Sequence, residues 1–341
     1  MSANGISTLA TKQEKQIAKL ELAARKRQGY TLNADGSVAS GPDINANFYR
    51  ANNEYDITEL PTQYQGNSVL DNVNEDGLKA KRPWVTFLPN DLFAHGEMGV
   101  WFDPGNIGSL FQDAAGTVPV TAAGQPVGKM LDMSGNSRHA TQSTAGKRPI
   151  WRIDPYGYGY LEFDGVDDFM VTSNILWTGF SVSKVTASVG LYVDPTKVTA
   201  GTAICTGGDP NAVNGTFLVG APSSTADHSF YLRGTTTIKT TMANAVVGDD
   251  ILTGVFDLAQ STKETQLIPR LSGNIPAPGN IAWTGTSAGG GTFTTQPLYI
   301  GSLGGTGVFF KGHIYGVVVR GALSNSTQIT QTEAWINRKI D

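Results

Sequence analysis

Leu161-Glu162-Phe163-Asp164-Gly165-Val166-Asp167-Asp168-Phe169-Met170-Val171 is the stretch whose reading decides the fold. Leu161 and Phe163 flank a polar residue, and the apolar residues after the turn repeat the pattern. A period of two places alternate side chains on one face of a strand. Asp164-Gly165 stands between the two runs, where the chain must reverse and glycine tolerates positive φ at little steric cost. The stretch predicts a hairpin with one face buried, in a chain of similar short strands, and hence a β-sandwich.

Further strands are expected over 160–163, 169–171, 187–193, 202–205, 215–219, 229–232, 250–256, 266–271, 297–300 and 312–320. Gly, Pro, Asn and Asp clusters separate them, as in a sandwich. Residues 324–340 read as a closing helix capped by Ser324 or Ser326, with Ile329, Ile336 and Ile340 on one face. The 41 glycines among 341 residues suit strands and turns. Charged residues make up 16% and the net charge is −4, which argues against a dedicated nucleic-acid binder.

The first part of the chain differs in character. TKQEKQIAKLELAARKRQ (11–28) predicts a helix, with Thr11 as its cap and Gly29 as its stop. Its basic residues include Lys12, Lys15 and Arg25, and they outnumber Glu14 and Glu21. Its apolar face is thin, mainly Ile17, Leu20 and Ala24. A helix of this length is marginal alone in water, so docking on a partner is expected. Residues 30–84 read as extended and irregular, a turn-rich connector at 31–43 followed by a strap with Tyr55, Tyr64 and Trp84 among its anchors. Such a segment orders on a neighbouring surface. The division expected is an anchor over 1–94 and a sandwich over 95–341.

GVWFDPGNIGSLFQDAAGTVPV, RPIWR, GYLEFDGVDDFMV and LYIGSLGGTGVFFKGHIYGVVVRGAL resemble concanavalin A-like, laminin-G-type domains of bacteriophage structural proteins. The resemblance runs over roughly 99–339. It implies a jelly-roll β-sandwich and leaves function open, since that fold carries adhesins, spacers and some enzymes. ISTLATKQEKQIAKLELA and YDITELPTQYQGNSVLDN are similar to anchor segments of tailed-phage virion proteins of marine and cyanobacterial type. That likeness implies a homo-oligomeric virion protein, assembled in the host cytoplasm, gripping capsid, neck or tail proteins through its arm. Decoration of the particle as a head fibre and adhesion to a host-surface glycan are the leading readings, with service as a tail-fibre or baseplate receptor binder and action as a polysaccharide depolymerase as the alternatives.

No catalytic set is expected. Glycosidases need two carboxylates flanking the scissile bond. Glu162 is alone on its strand, Asp164, Asp167 and Asp168 fall in a turn, and Glu264 reads as a solvated loop residue. Asp164 is read as bracing the turn. The histidines His95, His139, His228 and His313 lack metal-ligand spacing. No cofactor is expected. Calcium is possible, with Asp167, Asp168, Asp194, Asp209 and Asp249-Asp250 as dispersed candidates, the last pair read as an exposed turn. For carbohydrate the candidates are Trp177, Trp283, Tyr156 and Tyr158, in loop-like contexts, with ordinary packing as the alternative. Cys205 is the only cysteine and reads as a small buried apolar residue. No apolar run reaches the ~18–20 residues of a membrane span, and the polar N-terminus predicts no secretion signal.

Overall fold

The computed structural model describes residues 31–32, 38–40, 87–177, 181–196, 199–222, 227–242 and 248–340. The chain divides into two units, Met1–Thr86 and Phe87–Asp341. In the first, β1 (Thr31–Leu32) pairs antiparallel with β2 (Val38–Ser40). A small hairpin thus stands where the composition predicted only a connector. The helix expected over 11–28 and the strap from Tyr55 to Trp84 lie outside the described residues.

The second unit contains β3 (Gly99–Phe102), β4 (Leu110–Phe111), β5 (Lys129–Met130), β6 (Ala140–Thr141), β7 (Ile150–Ile153), β8 (Gly159–Asp164) and β9 (Met170–Thr172). It continues through β10 (Lys184–Val193), β11 (Thr202–Thr206), β12 (Thr216–Gly220), β13 (His228–Arg233), β14 (Thr237–Met242) and β15 (Asp249–Asp257). A one-turn helix α1 (Lys263–Gln266), β16 (Leu267–Leu271), β17 (Ile281–Thr284), β18 (Leu298–Ile300), β19 (Lys311–Arg320) and α2 (Ser326–Asn337) complete it. It begins at Phe87, not His95, because Phe87, Leu92 and Phe93 bury their side chains in it.

These strands form two antiparallel sheets, the sandwich expected. One runs β16-β15-β10-β19-β8-β7, and β3 pairs with the far half of β19. The other runs β17-β14-β13-β12-β11-β18-β9-β6-β5-β4. Alternation explains the shared core. Val185, Ala187, Val189 and Leu191 of β10 point inward from the first sheet, and Phe217 and Val219 of β12 with Phe230 and Leu232 of β13 do so from the second. Phe217 stacks on Phe256 of β15, ring centroids 4.8 Å apart.

The 161–171 stretch corrects the first expectation. β8 buries Leu161 and Phe163 in alternation, and Gly165 has φ of 77°. However, β8 pairs with β7 and β19, whereas β9 pairs with β6 and β18 in the other sheet. The turn is therefore a crossing between sheets, not a hairpin. Both arrangements bury the same alternate residues, so the pattern alone does not separate them.

The closing helix α2 lies on the outer face of the first sheet. Asn325 caps it, accepting from the Gln328 amide, where Ser324 or Ser326 was expected. Gly190 of β10 and Gly316 of β19 let it approach, since a Cβ on the first would overlap Ile336 and on the second would meet the Trp335 ring. Glu333 of α2 accepts from Arg270 Nε and Nη2, at 2.7 and 2.8 Å. Buried Arg320 ties the helix entry to Glu97 at 2.6 Å. Ile329 and Ile336 face inward, as their spacing predicted, whereas Ile340 lies past the end of the helix at Asn337.

Candidate functional site

The residues singled out for carbohydrate lie in three separate places. Trp177 is fully buried, packed edge-on to Phe217 and donating its indole N–H to the Gln296 carbonyl at 3.2 Å. It serves packing and has no face for a ligand. Trp283 belongs to the edge strand β17 rather than a loop and packs partly against the core, with the Lys263 ammonium 5.6 Å from its ring centroid. Tyr156 is 60% exposed and Tyr158 half-buried, in the turn joining β7 to β8. Asp154 Oδ1 accepts both their amide N–H groups, at 2.9 and 2.7 Å, so this aromatic turn is fixed by a side chain. The docking candidates Lys12, Lys15, Ile17, Leu20, Arg25, Tyr55, Tyr64 and Trp84 lie outside the described residues.

On the outer face of the first sheet, His313 stands between Tyr160 and Tyr192, with ring centroids 4.0 and 4.8 Å away and planes within 27° of parallel. The three rings come from adjacent strands β8, β19 and β10. Rings stacked at the interstrand spacing stand upright, edges outward, because each inner face covers its neighbour. Burial lowers the His313 pKa, against the raising influence of Glu162, Asp194 and Asp154. This ladder stabilises the sheet and offers no broad aromatic platform.

Asp164, Asp167 and Asp168 bring carboxylate oxygens within 4.8 Å of one another. Asp164 Oδ1 accepts the N–H groups of Val166, Asp167 and Asp168, and Asp168 Oδ2 accepts that of Asp164. The turn thus uses these carboxylates to satisfy its own backbone. With Asp164 Oδ1 and Asp168 Oδ2 engaged by the turn's own amides, the remaining oxygens of the three carboxylates fall short of the six to eight that Ca²⁺ takes, and the other acidic candidates are elsewhere. Asp194 binds Thr196 and pairs with Lys311, and Asp209 lies over the second sheet. Asp250 is buried against His228, so the Asp249-Asp250 pair begins β15 instead of forming an exposed turn. Burial, and then the neighbouring Asp164, push the Asp168 carboxyl up to about 6. A raised carboxyl is what a general acid needs, but Asp168 is buried in its turn.

A pocket of about 180 Å³ opens on the outer face of the second sheet. Its floor is Thr202 of β11, Leu218 and Gly220 of β12, and Ser229 and Tyr231 of β13, which alternate with core residues. Register places Thr202 and Ser229 opposite Gly220, and Tyr231 opposite Leu218. Two loops form the rim, one carrying Asp209, Pro210 and Asn211, the other Leu303 and Val308. Asp209 Oδ1 accepts the Asn211 backbone N–H at 2.8 Å and its side-chain amide at 2.9 Å. Among the described residues no group donates to Oδ2. The Thr202 hydroxyl is buried and has no hydrogen-bond partner among the described residues. Lys239 stands 5.1 Å from the Tyr231 ring centroid.

Sequence reading passed over this pocket, whose residues are distant in the chain and weak one by one. Asp209-Pro210-Asn211 was its only visible sign. Cys205, in the same strand as Thr202, is buried as expected, its thiol pushed up to about 12 by desolvation and donating to the Ser302 carbonyl.

No protein-family model and no curated protein matches the chain. Among solved structures it is similar to the receptor binding domain of botulinum neurotoxin D, at 7% identity over 73% of this chain and 54% of that one, TM-score 0.45. It is similar to the Trypanosoma rangeli sialidase, at 12% identity over 78% and 38%, TM-score 0.46. A third is the binding domain of botulinum neurotoxin DC in complex with rat synaptotagmin II, at 9% identity over 73% and 52%, TM-score 0.46. The chain spans about half the length, or less, of these chains. At such similarity nothing about ligand or activity passes from them. No helix among the described residues is long and apolar enough to cross a membrane.

Proposed function

We propose that this chain is a non-enzymatic adhesion protein of a tailed-phage virion. Its sandwich binds a ligand on the cell surface, and its N-terminal part, 1–86, attaches it to other virion proteins. The pocket over the second sheet carries the adhesion reading: it gathers a carboxylate, an amide, two hydroxyl residues and an aromatic side chain from distant parts of the chain. A small cavity with a few convergent polar groups is the usual form of a binding site. The attachment reading is supported by the basic composition of 11–28 and by the phage resemblance of the same segment.

Two measurements test this. Purified full-length chain should adhere to host cells, and Tyr231→Ala should lower adhesion at least tenfold while leaving the fold intact. Gold-labelled antibody against the sandwich should decorate intact particles at the head or neck. Label confined to the tail tip would make the protein a receptor binder there. The alternative of a polysaccharide depolymerase draws on Asp168, the carboxylate held near 6. Shortening of host polysaccharide by the pure protein, abolished by Asp168→Asn, would replace the adhesion reading.

A further inference from the structure

The pocket also constrains which ligand fits, an inference that rests on the adhesion reading above. We infer that it takes one neutral pyranose ring, the terminal sugar of a glycan, bound through adjacent hydroxyl groups at Asp209 and Asn211.

Size comes first. About 180 Å³ is small beside the ~300–1,000 Å³ of sites for drug-sized ligands. That volume suits a single ring and excludes an extended chain lying along the sheet. Gly220 sets the depth. A Cβ there would stand 2.7 Å from Ser229 Oγ and 3.3 Å from the Gly201 carbonyl.

Charge comes second. Asp209 is the one charged side chain lining the pocket among the described residues. Its Oδ1 is held by Asn211, which leaves Oδ2 to accept from a ligand. An ionised carboxylate is acceptor-only and takes hydroxyl donors well. A sugar carboxylate at the same place would be repelled. Lys239, beyond the Tyr231 ring, does not line the pocket and cannot replace Asp209 as the group the ligand meets.

Polar satisfaction comes third. The buried Thr202 hydroxyl beneath the floor lacks a protein partner among the described residues. Buried polar groups are ordinarily paired with protein, water or ligand. Asn211, Ser229 and Tyr231 also line the cavity, and a hydroxyl-rich occupant pairs with their polar groups where an apolar one would not. Leu218, Leu303 and Val308 line the pocket as well, as an apolar complement to the ring's C–H surface.

The test uses the full chain and three probes, methyl α-mannoside, methyl β-galactoside and N-acetylneuraminic acid, followed by saturation-transfer NMR and calorimetry. A neutral glycoside should bind, N-acetylneuraminic acid at least tenfold more weakly. Asp209→Asn should weaken the neutral sugar tenfold or more, and Gly220→Ala should abolish binding by filling the floor. Far-ultraviolet circular dichroism and an unchanged melting temperature show that both variants are folded. Preference for N-acetylneuraminic acid, or full affinity in Asp209→Asn, overturns the inference and leaves the adhesion reading standing. Cell adhesion without binding of any of the three sugars does the same. Failure of both sugar binding and cell adhesion overturns the two together.

Discussion

His228 Nε2 and Asp250 Oδ2 lie 2.9 Å apart, joining β13 of one sheet to β15 of the other, with both side chains buried. Ser272 Oγ donates to the second oxygen of Asp250 at 3.1 Å. The contact is a polar cross-link at one end of an otherwise apolar sandwich. Removing one partner leaves the other buried and unpaired, which costs more than the bond contributes. His228→Ala should therefore lower stability by about 3 kcal/mol. Urea unfolding of single and double variants should give a coupling energy with Asp250→Asn above about 0.5 kcal/mol. Strict additivity would show that the pair does not interact.

Asp168 should make the protein less stable as it ionises. Its folded pKa, about 6, lies above the ordinary 3.8. The stability it contributes is complete below the unfolded value and is lost as pH rises through about 6. Asp168→Asn keeps an acceptor for the Asp164 amide and removes the charge. At pH 7.5 the variant should be more stable, on the order of 2 kcal/mol, with no gain near pH 4. Thermal melts at both values check this. A loss at pH 7.5 that calcium accentuates would show that the turn needs its charge to hold a cation.

His313 acts with the opposite sign. Burial lowers its folded pKa below 6.5, so its stability is complete above that value and is lost as pH falls through the folded one. Tyr160, Tyr192 and Tyr315 surround the ring, and Glu162, Asp194 and Asp154 partly restrain the shift. His313→Phe preserves an aromatic ring in the ladder and removes the proton site. Its stability should fall less between pH 7 and 5 than that of the unaltered protein. Some acid sensitivity should remain, because burial and Lys129 lower His139 in the same direction.

Gly190→Ala tests how tightly α2 is seated. The added methyl would overlap Ile336, and overpacking of this kind costs about 1–3 kcal/mol. Hydrogen exchange should quicken across Ser326–Asn337 before it does in β10. Glu333→Gln, which weakens the grip on Arg270, should loosen the same helix.

Much of the sandwich was legible because its signals are local. Apolar, Val-rich runs bounded by turn residues in 187–193 and 312–320 found the two central strands, β10 and β19, which are buried on both faces over most of their length. β3 to β7, β14 and β17 were missed: Lys129–Met130 and Ala140–Thr141 are only two residues long, and Thr237–Met242 carries too few apolar residues to stand out from coil. The site was less legible still. Tryptophans attracted attention as sugar platforms, yet Trp177 fills the core, because a large ring gains most from complete burial. The pocket instead uses Asp209, Asn211 and the bare backbone of Gly220, none conspicuous alone.

Leu161–Phe163 and Asp164-Gly165 by themselves determined a strand followed by a turn, because alternation and backbone freedom are properties of neighbouring residues. Whether that turn joined two strands of one sheet or led from one sheet to the other was decided only by tertiary structure. β8 and β9 find their hydrogen-bond partners in β19 and β18, far along the chain. The same holds for the pocket, where cross-strand register sets Thr202, Gly220 and Ser229 side by side. Long-range pairing chooses among arrangements that local patterning leaves equal, since each buries the same apolar face.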